Sequence, residues 1–315
     1  MTNKEIYAEL CEKEESINLF QQSWWLNAVC AGKEWDLLLS RDEQGEIQAA
    51  MPYLLRKRRP FSYVIMPQQT QIAGIWLRPD KADDAEAVNS IADEFTAQLH
   101  RLRLSYYCQN FPIGSPFPEV LASKGFRVKE RQTYRLEDLS DLDKIIDSFS
   151  KNKKRQLQKA LALHLDTDMS EEDFYRFHKE CLEAKKKKIS YTREFFLVLS
   201  RKSMKREQGK ILAIRDAEGN THAAVFVVWD KASLYYLIPA INPDYSDSGA
   251  GALLALEAIK LARQVSRSFD FEGSMIRGVA NHYRQFGTTR QTYYQVYKTY
   301  NALFSVPMFF YRMFN

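Results

Sequence analysis

Residues 242–287 read NPDYSDSGAGALLALEAIKLARQVSRSFDFEGSMIRGVANHYRQFG. In order this is a polar, glycine-containing loop, an apolar helix, a short strand ending in an acid, and a further helix closed by Phe286-Gly287. A loop of that composition opening a helix offers backbone N–H groups at the helix's positive end, a place to hold phosphate. The strand brings Asp270 and Glu272 nearby. The stretch therefore reads as a site for a phosphate-bearing donor with a carboxylate at hand, and the rest of the chain as its support.

Length and composition bound what that support can be. The 315 residues suffice for two domains, or one large one, with a substantial core. Hydrophobic residues at 45% and aromatics at 13% exclude a disordered chain. A net charge of +5 suits an anionic partner but is too small alone to mark a nucleic-acid binder. Cys11, Cys30, Cys108 and Cys181 form no Cys-x-x-Cys pair, and the histidines show no metal-ligand spacing, so reduced thiols and no metal are expected. The N-terminus lacks the apolar core of a signal peptide, and no apolar run approaches the roughly 18 residues that span a bilayer. The expectation is a soluble, cytoplasmic protein without an integral membrane segment. The aromatic tail from Ala302 to Phe314, broken by Pro307, reads as a segment docked on the core, with a partner or membrane surface as the alternative.

Taken in order, the chain spells an α+β unit and then another. A helix over Phe20–Val29 carries Trp24 and Trp25, which plug a core or line a cleft where they would bind substrate. Strands follow at Trp35–Ser40, Glu46–Leu55 and Ser62–Thr70, the first two joined by the hairpin turn Asp42-Glu-Gln-Gly45. Then come a helix over Asp84–Arg103, a strand at Leu104–Asn110, a short helix closed by Gly125-Phe126, and a strand at Arg127–Leu136. The C-terminal half repeats this order from strands at Lys210–Arg215, Thr221–Trp229 and Ser233–Ile241, through an apolar helix at Gly251–Val265, to a last strand at Gln291–Tyr297. Between them, Ser150 caps a helix with Lys151, Lys153, Lys154, Arg155 and Lys159 in its opening turns, where cations oppose the macrodipole. Such a cluster either faces an anion or is a solvated linker. Lys185–Lys188 close a helix opened by Ser170, where cations suit the negative end. Element order thus indicates two copies of one domain, 1–139 and 140–315, and only the C-terminal copy carries the residues for chemistry.

The element order and the signatures Ser248-Gly-Ala-Gly251, Phe269-Asp-Phe-Glu-Gly273 and Tyr283-Arg-Gln-Phe-Gly287 resemble the GNAT superfamily of acyl-CoA N-acyltransferases. More narrowly, they resemble its tandem-domain branch, which includes the Fem-type aminoacyl-tRNA-dependent peptidyltransferases of cell-wall synthesis. The resemblance runs from about Leu19 to Tyr297. It implies two tandem GNAT-like domains, each a mixed, mainly antiparallel sheet flanked by helices, with a degenerate donor site in the first. It implies that backbone N–H groups of Ser248, Gly249, Ala250 and Gly251 hold the pyrophosphate of acetyl-CoA or another acyl-CoA. The family's Arg or Gln at the head of this loop is absent from Asn242–Asp247, and Asp244 and Asp247 would repel a pyrophosphate.

An amine attacking a thioester must lose a proton, and the leaving group must gain one. Glu272, at a strand end, is the candidate base, and Tyr283, by its spacing before Gly287, the candidate acid. Arg284 could bind an acidic acceptor or a phosphate. Three functions stay open at this level. The first is an N-acyltransferase acting on a small-molecule or peptide-like amine held in a groove between the domains. Another takes its acyl group from aminoacyl-tRNA, drawn by the two lysine clusters. The third is a non-catalytic binding protein that kept the fold.

Overall fold

The computed structural model describes residues 2–30, 35–273 and 275–304. Contacts divide the chain into two units, Met1–Arg131 with Thr292–Asn315, and Gln132–Gln291.

In the first unit, helices α1 (Asn3–Lys13) and α2 (Ser23–Val29) precede strands β1 (Trp35–Arg41), β2 (Ile47–Arg58), β3 (Phe61–Ile65) and the two-residue β4 (Trp76–Leu77). Helix α3 (Ala85–Arg101), β5 (Tyr106–Phe111), α4 (Phe117–Ser123) and the start of β6 (Arg127–Leu136) follow. The expected hairpin forms at Asp42–Gly45, with Asp42 N donating to Glu46 O at 2.9 Å, and β1 and β2 pair antiparallel. The sheet order is β1-β2-β3-β5, and β3–β5 is its parallel pair. A parallel neighbour needs a crossover, supplied here by α3, whose Val88, Ile91, Phe95 and Leu99 pack on the Tyr107 and Phe111 side of the sheet.

The second unit begins within β6 and adds α5 (Leu142–Ser148), α6 (Lys151–Lys159), β7 (His164–Asp166), α7 (Glu171–Ala184) and α8 (Arg193–Lys205). Strands β8 (Gly209–Arg215), β9 (Thr221–Trp229) and β10 (Ser233–Ile241) lead to α9 (Ala250–Val265), β11 (Ser268–Asp270), α10 (Arg277–Arg284) and β12 (Thr289–Thr299). The order is β6-β11-β10-β9-β8-β7, again with one parallel pair, β10–β11, across a helix. Central β9 is buried along nearly its whole length, which is why THAAVFVVW shows an apolar run rather than alternation. Helix α9 is apolar almost all round because it seats against the sheet, burying Leu254, Ala255, Ala258 and Ile259 with Phe269 and Phe271.

The fold is thus α+β, with a strand pair, crossover helix and parallel strand in each unit. The sequence places the division at 139/140, in chain order; pairing places it differently. Residues 294–299 of β12 pair with β5 in the first unit, while Arg135 and Leu136 of β6 pair with β11 in the second. Each unit is closed by a strand that lies, in the sequence, with the other half. The physical reason is that a strand end is satisfied by whichever sheet edge offers unpaired N–H and C=O groups.

Of the aromatic tail, Phe304 is described: it is buried and stacks on Tyr106 with ring centroids 5.6 Å apart. Residues 305–314 lie outside the described residues. All four cysteines are buried. Among the described residues no helix is long and apolar enough to cross a membrane, and no cluster of His, Cys, Asp or Glu could hold a metal ion.

A tight backbone approach in the second unit is at Gly249, which caps α9 with φ +83°. A Cβ there would stand 2.0 Å from the Gln156 carbonyl oxygen of α6. Gly249→Ala should therefore lower unfolding free energy by at least about 2 kcal/mol, because a left-handed Ala and a backbone clash must be accommodated together. Urea denaturation beside Gly278→Ala, where a Cβ meets open space, checks this; equal losses in both variants would contradict it.

Candidate functional site

The loop before α9 is ordered by its own polar groups. Asn242 caps the short turn Pro243–Tyr245, and Ser248 Oγ donates to Tyr245 O at 2.7 Å while accepting from Ala250 N at 3.3 Å. Gly249 O accepts from Ala252 N and Leu253 N. Because Gly249 lacks a Cβ, α6 closes onto this turn, and its side chains meet the start of α9. Between them lies a cavity of about 400 Å³.

Gly249, Gly251 and Ala252 form one wall of the cavity; Lys153, His178, Lys185, Tyr236, His282 and Tyr283 are among the rest. None of its described lining residues is acidic. Asp244 lines a different cavity, with Asp173, Arg176 and Arg215, and the backbone carbonyl of Asp247 accepts from Lys159 Nζ at 3.5 Å. Neither aspartate is among the described residues that line the cavity at the α9 start.

Lys153 supplies the opposite sign. Of the cations in α6 it is the one turned inward, at 2% exposure, while Lys151, Arg155 and Lys159 stay exposed. The Ser150 cap accepts from Lys153 N at 3.2 Å and fixes the helix start. Lys153 Nζ donates to Gln156 Oε1 at 3.1 Å, lies 3.3 Å from His282 Nδ1, and sits 4.6 Å above the Phe286 ring centroid. With no carboxylate among these partners, burial brings its pKa down to about 8. Lys185, at the end of α7, donates to Ile241 O at 2.9 Å.

The acids at the end of β11 stand apart from this wall for a geometric reason. Successive strand residues face opposite sides. Phe269 and Phe271 face α9, so Asp270 turns to the other side, where Thr133 Oγ1 donates to its Oδ1 and Arg135 Nε lies 3.7 Å from Oδ2. Glu272 leaves the strand with φ +64°, and its N–H donates to Asp270 Oδ1 at 2.7 Å. Gly273 follows so tightly that a Cβ would meet Gln132 O at 2.1 Å. Burial raises the Asp270 carboxyl to about 6, against the pull of Thr133 and Arg135. Burial, and then the charge of Asp270, push Glu272 well above the usual carboxylate range, and its Oε1 is enclosed without a hydrogen-bond partner.

Tyr283 links the two regions. It lines the cavity, stacks on Phe271 at 4.6 Å and 21°, and is raised to about 12 by burial and then by Glu272 and Asp270, so its hydroxyl keeps its proton at neutral pH.

The structure thus brings Gly249, Gly251 and Tyr283 to one cavity and sets Glu272 one residue beyond cavity-lining Phe271. The Ser248 hydroxyl is engaged in capping, and Ala250 is buried in the core. Arg284 points outward, its guanidinium 5.5 Å from the Tyr134 ring centroid. Trp24 and Trp25 are buried in the first unit, Trp25 Nε1 donating to Thr70 Oγ1 at 3.1 Å and Trp24 Nε1 to Gln22 Oε1 at 2.6 Å. Sequence reasoning did not single out Lys153 from its neighbours, nor His178 and Tyr236. The only local signal for Lys153 is its place three residues after the Ser150 cap.

Residues 147–284 match the family model for the acetyltransferase (GNAT) domain. The crystal structure of FemX superposes with a TM-score of 0.73 at 12% identity, covering 93% of this chain and 96% of that one. L-PGS from Bacillus licheniformis gives 0.57 at 13% identity, with 98% and 95% covered. A tandem GNAT protein from the clavulanic acid biosynthesis pathway gives 0.54 at 12%, with 93% and 92% covered. At these identities the likeness is one of fold. No curated protein matches the chain by sequence.

The raised Asp270 makes stability pH-dependent. A carboxyl whose folded pKa exceeds its unfolded value of 3.8 stabilises the fold below that value, and the contribution is lost as pH rises through about 6. Asp270 should therefore account for a fall of about 3 kcal/mol in unfolding free energy between pH 4 and pH 7. Asp270→Asn, which cannot ionise, should show a correspondingly flatter profile in urea melts; identical slopes in the two proteins would contradict the assignment.

Proposed function

We propose, from the premise that this chain carries a GNAT-type domain within a Fem-related tandem fold, that it is an acyltransferase acting on an amine. Its phosphate-bearing donor, in our reading acetyl-CoA or another acyl-CoA, lies in the second unit against the start of α9. The observation that carries this is the single cavity uniting the α9 N-terminus, inward-turned Lys153 and the protonated Tyr283, with no acid among its described lining residues. Backbone N–H groups and the helix dipole favour an anion there, and Lys153 and Lys185 add charge.

The reaction needs two proton transfers. The amine nitrogen attacks the thioester carbonyl carbon, the new C–N bond forms, and the C–S bond breaks. Tyr283 gives its phenolic proton to the departing sulfur. The proton lost by the amine passes to Glu272, directly or through water. Glu272 can accept it only when ionised, and burial beside Asp270 opposes ionisation. The rate should accordingly rise with pH as the acid titrates, and a cationic acceptor beside the pair would lower its pKa.

An alternative reading keeps the chemistry and changes the donor to aminoacyl-tRNA. Exposed Lys151, Arg155 and Lys159 on α6, and Lys186–Lys188 after α7, belong to the same unit and could take phosphates outside the cavity. Binding would then weaken steeply with salt. A flat tRNA affinity between low and moderate salt would remove this reading.

Isothermal titration with acetyl-CoA should give binding to the wild type and none to Gly251→Arg, which fills the cavity at the α9 start; an inert wild type would sink the acyl-CoA form. Tyr283→Phe and Glu272→Gln should each lower kcat by about 10²-fold or more with the donor's binding retained. Full activity in both would favour a binding protein over an enzyme.

A further inference from the structure

Two imidazoles, His178 and His282, line the cavity of the second unit, and the transfer described above uses neither. Counting donors fixes their tautomers. An ammonium has donors and no acceptor, so the 3.3 Å contact between Lys153 Nζ and His282 Nδ1 runs from lysine to histidine. The His282 ring proton then resides on Nε2. His178 Nδ1 lies 2.6 Å from the hydroxyl of Tyr191, which is 6% exposed. Were the ring the donor, the phenolic proton would be buried with no other acceptor seen among the described residues, at a cost of about 1–3 kcal/mol. The hydroxyl therefore donates to Nδ1, and His178 also carries its proton on Nε2.

The Nε2 atom of His178 makes no hydrogen bond among the described residues, yet it is not one of the enclosed, unpartnered atoms. The atom therefore keeps some exposure, and its residue lines the cavity. Both rings are held neutral. Burial, and then Lys185, bring the His178 pKa down to about 4; desolvation and then Lys153 shift His282 in the same direction.

We infer that His178 and His282 present uncharged Nε2–H donors to the phosphate oxygens of an anionic ligand in this cavity, while Lys153 both supplies charge and sets the His282 tautomer. The ligand class is a phosphate or pyrophosphate ester, which rests on reading the cavity as the donor site. Tyr191 is a positioning residue: it acts through the His178 ring.

The test uses the full chain with 15N-labelled histidine and inorganic pyrophosphate as the probe. At pH 7 without ligand, both residues should show the neutral Nε2–H tautomer, and pyrophosphate should shift those signals. Tyr191→Phe should let His178 populate both tautomers. His178→Gln keeps a neutral N–H donor near the same place and should bind pyrophosphate within about threefold of the wild type, whereas His178→Ala should lose about tenfold. An Nδ1–H tautomer or an imidazolium at pH 7 overturns the inference, as do Nε2 signals indifferent to pyrophosphate; both readouts use the wild type and do not depend on a variant folding. If pyrophosphate shifts the histidines but acetyl-CoA does not bind, the acyl-CoA reading fails and the donor pair stands.

Discussion

The second unit depends on one close approach, the Gln156 carbonyl of α6 against Gly249 at the start of α9. A glycine with φ +83° permits both the turn and the contact, and no other side chain would leave room for the carbonyl. With α6 seated there, Lys153 has nowhere to project except into the cavity, above Phe286 and beside His282. Burial there lowers its pKa, and its charge adds to the desolvation that lowers the pKa of His282.

Another constraint acts at the end of β11. The side-chain alternation that gives Phe271 to the core gives Asp270 to the opposite face, where Thr133 and Arg135 partner it. Glu272, turned by its positive φ, is left enclosed with an unpaired oxygen beside a second carboxyl. Burying two acids together raises both, and Tyr283, stacked on Phe271, feels the same charges. The proton donor and the proton acceptor of the proposed transfer are thus coupled through one aromatic ring and one strand.

Much of this was legible in residue pattern. The strands at Arg127–Leu136, Thr221–Trp229 and Ser233–Ile241 and the apolar α9 follow from periodicity and apolar runs, and the doubled order of elements pointed to a tandem fold. The glycine loop and Tyr283, which line one cavity, could be singled out from the sequence because backbone approach and local spacing are written in neighbouring letters. The side chains of Ser248 and Ala250, in the same motif, serve the cap and the core, since a helix start uses successive residues on different sides. Arg284 sits next to Tyr283 and points away for the same reason.

Sequence alone determined the elements, their order, the apolar faces and the presence of a phosphate-compatible turn, because these depend on contacts within a few residues. Tertiary structure alone decided which of five cations in α6 becomes a buried lysine, which strand closes each unit, and which cavity Asp244 lines. Those outcomes depend on groups far apart in the chain, such as Gln156 with Gly249 and Lys153 with His282, and on desolvation, which no residue carries in its own letter.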